Sequence, residues 1–428
     1  LHVRDPPLLE DTRMTDAGTD ARARGTMESV RRDDVKPLPP SPRTMPDPYR
    51  VLFPIGIAAA FVALLPWVAQ ALSGAPWWPA ALRPAWPGPA HAAIMMQGFE
   101  LAFVCGFLLT AMPAFTHGAR ATRVELGVVT AGVAAFTVLR ALEVPGAAIA
   151  TLVTLLALGF AIARRVRGGA AAPPEEFLLV GTGLALGVAG ALVETASVFG
   201  LMPPIAERYG VRAFSMGMVL ALVLGLGGLL VPTFAEVADP LAITGIARAG
   251  QRPRRRAFML ALAGLLLVAV NLEFAGLGSL AGDLRALAVV ASTQLAWKLW
   301  RGPGRGDGLA WALWLAGWCV TLGFIAAAVW PEQRVEAWHV AFVGGYALLT
   351  LAIATRVVVS HGGHARSEER VVLTTVGTVA LLLAALVRAL GPTFDPDHTG
   401  AHHALAAALG ALRSEEHTSE LQSQFRIS

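Results

Sequence analysis

Between about residue 51 and residue 412 the chain is a series of long apolar runs, broken by short polar or glycine- and proline-rich segments. Runs such as Met218–Val231 and Ala257–Val270 show no alternation of apolar and polar positions. A membrane-barrel strand would alternate, with one face to lipid and one to the lumen. An unbroken apolar run predicts a helix, which satisfies its own backbone hydrogen bonds where there is no water. Crossing a bilayer takes about 20 such residues. Cutting at the charge and Pro/Gly clusters gives spans at 51–72, 91–113, 124–142, 145–163, 177–200, 212–233, 257–276, 280–300, 309–330, 338–358 and 371–391. A twelfth begins near residue 400 and is expected to be cut short. The predicted fold is all-α, a polytopic membrane helix bundle of twelve spans.

The basic residues test that division. Loops after even-numbered spans hold sixteen Lys and Arg, among them Arg252, Arg254, Arg255 and Arg256; loops after odd-numbered spans hold seven. Basic loops mark the cytoplasmic side, so the alternation predicts a cytoplasmic N-terminus. The longest loop, Phe234–Arg256, is too short for a soluble domain. Any chemistry must therefore lie within the membrane or at its faces. Trp77, Trp78, Trp86, Trp330 and Trp338 fall at expected outer boundaries, where interfacial anchors sit.

Composition closes off the other classes. Hydrophobic residues make up 55% of the 428, and charged residues 15%, against about 25% charged in a soluble domain. Mean hydropathy is +0.58. Two cysteines, Cys105 and Cys319, both inside apolar runs, exclude a disulfide scaffold. The net charge of +4 records topology, and no basic stripe or aromatic platform points to nucleic acid.

The ends read differently from the middle. Residues 1–49 mix Arg, Asp and Pro with almost no apolar run, as a disordered cytoplasmic tail or sequence upstream of the true start would. Residues 413–428 open with RSEEHTSELQS, which resembles the translation of a sequencing adapter and is expected to be non-native. The transmembrane domain is placed at 50–412.

Eight histidines of the middle sort into two layers. His91, His339, His398, His402 and His403 fall at the expected outer face; His117, His361 and His364 fall at the inner. A helix from His91 to His117 would be about 39 Å long, and from His339 to His361 about 33 Å, so any sites at the two faces are separate. Neutral imidazole is the common ligand of haem iron, copper and zinc. Met95 lies one turn after His91, and a thioether beside an imidazole suits copper or haem. His361-Gly-Gly-His364 is a short flexible clamp for a metal. Ionisable groups inside a bilayer are costly and mark function. Of Glu100, Glu194 and Glu273, Glu100 is the candidate for proton handling or for supporting a site at His91. Met216 and Met218 are expected to pack in the core, and Trp311, Trp314 and Trp318, at i, i+3 and i+7, to pack against lipid or core.

Several segments resemble the NnrS family. They are His91-Ala-Ala-Ile-Met95-Met-Gln-Gly98 with Gly106-Phe-Leu-Leu-Thr-Ala-Met-Pro113; Trp338-His339 with Gly344-Gly345 and Thr355-Arg356-Val-Val-Val-Ser-His361-Gly362; Gly227-Gly228-Leu-Leu-Val-Pro232-Thr-Phe234; and Pro48-Tyr49-Arg50 with Phe53-Pro54. The resemblance covers about residues 48–412. It implies a twelve-span bacterial inner-membrane protein that binds haem and copper and is linked to nitric oxide responses and denitrification. Its matching positions are His91, His339 and His361, with Arg356 beside the last. Two positions depart: Leu229 stands where the family often has Arg, and Ala93 where many members carry a second His.

Two other functions compete. Twelve spans with buried carboxylates would suit a secondary transporter, although no six-plus-six repeat is evident. A bis-histidine membrane cytochrome would transfer electrons without binding a gas.

Overall fold

A computed structural model describes residues 45–79, 87–203, 205–235, 252–304, 308–361 and 372–411. The tail at 1–44, the stretch 236–251, His364 and residues 413–428 lie outside the described residues. Among the described residues there is no strand. The main helices are α1 (Pro48–Leu72), α2 (Gly88–Thr116), α3 (Arg123–Ala141), α4 (Ala147–Gly168), α5 (Phe177–Val198) and α6 (Ala206–Phe234). They continue as α7 (Arg252–Phe274), α8 (Gly278–Ala291), α9 (Gly308–Val329), α10 (Pro331–Ser360), α11 (Val372–Phe394) and α12 (399–411).

Ten of these are long and apolar enough to cross a membrane. They carry Leu65, Phe160, Leu192, Leu260, Leu322 and Leu386 on exposed faces, as lipid-facing positions do. The chain is a multi-pass membrane protein. The eighth expected span, α8, is less apolar than these ten. Its regular α-helix is 14 residues, prolonged by a wider turn at Ser292–Ala296. Arg285, in its middle, is buried against a carboxylate of α7.

One four-helix unit occurs three times. In α1–α4, α5–α8 and α9–α12 the first helix packs on the second and third, and the second packs on the third. Each second helix starts with a short α-helical stretch and then widens into a π-helical segment. These segments are Ile94–Glu100, Ala213–Val219 and Val340–Ala347. Regular α-helix then resumes at Leu101, Leu220 and Leu348. Successive units join by α4 on α5 and α8 on α9. The ring closes where Gly410 of α12 meets Leu64 of α1.

The three second helices form the centre. Their most apolar windows are 83% (α2), 94% (α6) and 72% (α10) buried, against 28–56% for the other membrane helices. Close approach is secured by glycine. The Trp297 indole, fully buried, lies over Gly227 and Gly228 of α6 and donates from Nε1 to the Leu224 carbonyl at 3.3 Å. A Cβ on Gly345 of α10 would stand 2.6 Å from Val320 Cγ2 of α9, well inside van der Waals contact. Met216 and Met218 are buried as expected.

Charge gathers at the end of the bundle where the basic loops lie. Thr122 and Glu125 form a capping box that opens α3. The same Glu125 takes Arg165 at 2.9 Å and Arg164 at 3.0 Å, both from α4. Glu175 pairs with Arg252 at 3.4 Å, and Glu176 with Arg255. The opposite end, here the histidine end, holds the candidate site.

Candidate functional site at the histidine end

His91 and His339 begin the inner helices α2 and α10, each just before the π-helical segment. His91 Nδ1 lies 3.2 Å from the Ala63 carbonyl of α1. His339 Nδ1 lies 2.6 Å from the Val335 carbonyl, one turn back in its own helix. A carbonyl only accepts, so in a neutral ring each Nδ1 carries the proton and each Nε2 the lone pair. Metal-ligating histidines are oriented in this way.

The two rings come into electrostatic reach of one another, and His403 of α12 and Arg388 of α11 join them. The Trp67 indole bridges the group. It meets His91 edge-on at 5.8 Å and His403 at 4.6 Å. Depth and the resembling segments both bring His91 and His339 together in the sequence; nothing in the sequence adds His403 or Arg388 to them. Their approach depends on ring closure between the first and third units, which a single sequence does not display. His402 lies beside Gly391 and 3.5 Å from Asp395. His398 bonds the same carboxylate at 2.9 Å. These bonds, with His398 contributing most, hold the exposed Asp395 carboxyl below its ordinary value of 3.8.

Met95 packs against the apolar cluster of Ala59, Ala63, Ala93, Ile94, Phe136 and Ala147. Glu100 is buried deeper along α2 and accepts from Thr350 Oγ1 of α10 at 2.9 Å. The fully buried Tyr346 lies within electrostatic reach of it. A separate network joins α2, α4 and α5: Thr151 donates to Gln97 Oε1 at 2.8 Å, and Gln97 Nε2 donates to Glu194 at 3.2 Å.

The predicted inner-face residues stand at the far end of α10. Arg356 lies over the Phe234 ring of α6 at 5.4 Å, which brings two of the resembling segments together. His361 closes the helix Leu348–His361. Glu273 belongs to neither group; it pairs with Arg212 at 3.4 Å and with Arg285.

The donor set at the histidine end can be tested against its candidate groups. Among the described residues no three His, Cys, Asp or Glu side chains converge as a bare metal ion would require. His91 and His339, each with Nδ1 anchored on a carbonyl and Nε2 left with its lone pair, would hold a haem iron that needs few protein ligands, and haem would supply gas binding or electron transfer there.

No curated protein matches the chain. Comparison with protein families matches residues 44–412 to the family described as NnrS protein, which takes in every resembling segment, both histidines and all twelve helices. The chain belongs to the NnrS family.

Proposed function

We propose that this chain is a haem- and copper-binding protein of the bacterial inner membrane, with a cytoplasmic N-terminus, acting in nitric oxide response, nitrosative-stress protection or denitrification. The observation that carries the haem assignment is the pair of Nδ1-anchored imidazoles on two inner helices. When bound, ferrous haem would take nitric oxide if one of the two imidazoles gave up its place to the gas. His91 and His339 hold and orient the group, while Trp67 and the alanine-rich face of α1 exclude water. Arg388 places positive charge beside it, and Glu100 with Thr350 provides a proton-holding pair deeper along the same helices. A second site at the opposite face is proposed around His361 and His364, which bracket two glycines; Arg356 lies one helix turn and a residue before His361.

The convergence of two imidazoles also favours a second reading, a bis-histidine electron-transfer centre. An optical spectrum of the purified protein, before and after nitric oxide, separates the readings. A haem spectrum that shifts with the gas supports the first, and one that does not shift supports the second. No haem spectrum at all would overturn both and favour a transporter. Reporter fusions after Gly250 and Pro331 are expected on opposite sides of the membrane. Same-side signals would contradict the orientation.

A further inference from the structure

A second pocket lies at the histidine end, between the second and third units. Its volume is about 310 Å³, and its wall includes Glu273, Ser279, Arg285, Phe324, Arg334 and Trp338. Arg212 completes its charge. It pairs with Glu273 at 3.4 Å, and its guanidinium lies 4.6 Å from the Trp338 ring centroid. Arg334 lies over the same ring at 5.7 Å. Arg285, only 2% exposed, pairs with Glu273 while its Nε has no hydrogen-bond partner.

Two guanidinium groups thus pair with one carboxylate, and a third, that of Arg334, lines the same pocket. Burying a guanidinium is costly unless its charge and its N–H groups are matched. Glu273 is shared by two of these forks, and the buried Arg285 retains a free donor beside the cavity. A planar anion with two oxygens satisfies such forks in the bidentate manner that guanidinium favours. We infer that this pocket binds a small planar monoanion of the nitrite or carboxylate class, held by Arg285, Arg212 and Arg334 beside Trp338. Two sources carry that chemistry: a free anion from solution, or a carboxylate of the porphyrin proposed at the neighbouring His339. The free-anion arm does not rest on the haem reading.

Glu273 occupies part of the arginine coordination, and it competes with an incoming anion. This gives a test that a merely structural cluster would fail. Nitrite and formate are titrated by calorimetry into the full-length protein in detergent, with haem content read separately from the optical spectrum. Glu273→Gln is expected to tighten binding by about tenfold, and Arg334→Gln to weaken it by about tenfold, as removal of one close charge partner does. Arg334→Lys is expected to restore part of the loss. Binding to haem-free and haem-loaded protein alike identifies a free anion. Binding confined to haem-free protein, together with poorer haem retention in Arg334→Gln, identifies the porphyrin carboxylate. If neither anion binds the wild type or Glu273→Gln, with or without haem, the pocket is a closed internal ion cluster and the inference is wrong. That result would leave the haem reading standing, because the spectrum reports it independently.

Discussion

Trp338 and His339 are neighbours in sequence, yet they face two different junctions between units. His339 faces the junction of the third unit with the first, among His91, His403 and Trp67. Trp338 faces the junction with the second, between Arg212 and Arg334. The first gathers imidazoles and an indole, and their polar contacts to the backbone fix ring orientation. The second is built from guanidinium groups around a single carboxylate, and its contacts balance charge. Consecutive residues on a helix point about 100° apart. The start of a central helix can therefore supply both junctions at once. The difference teaches that the threefold arrangement is a scaffold whose equivalent corners carry different chemistry.

The largest effect is expected from breaking the charge pocket. Arg285→Ala removes the buried partner of Glu273, and loss of one member of a buried pair costs about 3 kcal/mol or more. Thermal unfolding in detergent should show a clear destabilisation while the haem spectrum of the surviving folded protein is retained. Loss of haem in parallel would identify the porphyrin carboxylate as the ligand of the arginine pocket.

Next comes the shared helix. Gly345→Ala places a methyl group against Val320, and overpacking of this kind costs about 1–3 kcal/mol. Because α10 carries both pockets, stability should fall together with haem retention and anion binding. Val320→Ala in the same chain should restore all three. A loss confined to one pocket would show that α10 does not couple them.

A smaller effect sharpens the histidine side. Thr350→Val removes the hydrogen bond to Glu100 without changing side-chain size, at about 1 kcal/mol. It should alter the pH dependence of the haem spectrum and leave anion binding untouched. An unchanged pH profile would remove Glu100 from the proton-holding role.

The smallest concerns the margin of the histidine pocket. Asp395 has a depressed carboxyl pKa, so its contribution is full above the ordinary aspartate value of 3.8 and is lost as pH falls through the lower folded value. Asp395→Asn should flatten this acid limb slightly, as measured by unfolding midpoints from pH 5 downward. An acid limb that remained unchanged would detach Asp395 from His398 and His402.

The helices themselves were legible because membrane burial demands continuous apolar runs, and those runs set the order of spans. The breakdown at α8 has the same logic. Asp283 and Arg285 interrupt the run, and Arg285 is tolerated because Glu273 lies opposite. The depth of His91 and His339 was also legible from their positions at the starts of spans. The arginine pocket was not, because its residues come from α6, α7, α8 and α10 and share no spacing. The repeat was nearly hidden. Gly98, Gly106, Pro113 and Phe115 of α2 recur at one constant offset as Gly217, Gly225, Pro232 and Phe234 of α6. A search for two halves of six misses a period of four helices. The equivalent stretch of α10 retains Gly345 and Leu348 but replaces the prolines. Only the π-helical segment makes the third copy plain.

The proposal at stake is that His91 and His339 jointly hold one haem, while Trp338 and the arginines line a separate anion pocket. Haem per protein, measured by pyridine haemochrome, tests it most directly across the wild type, His91→Ala, His339→Ala and Trp338→Phe. The account predicts strong loss of haem in both histidine variants, with full membrane insertion, and near-normal haem in Trp338→Phe. Full haem in both histidine variants would contradict it.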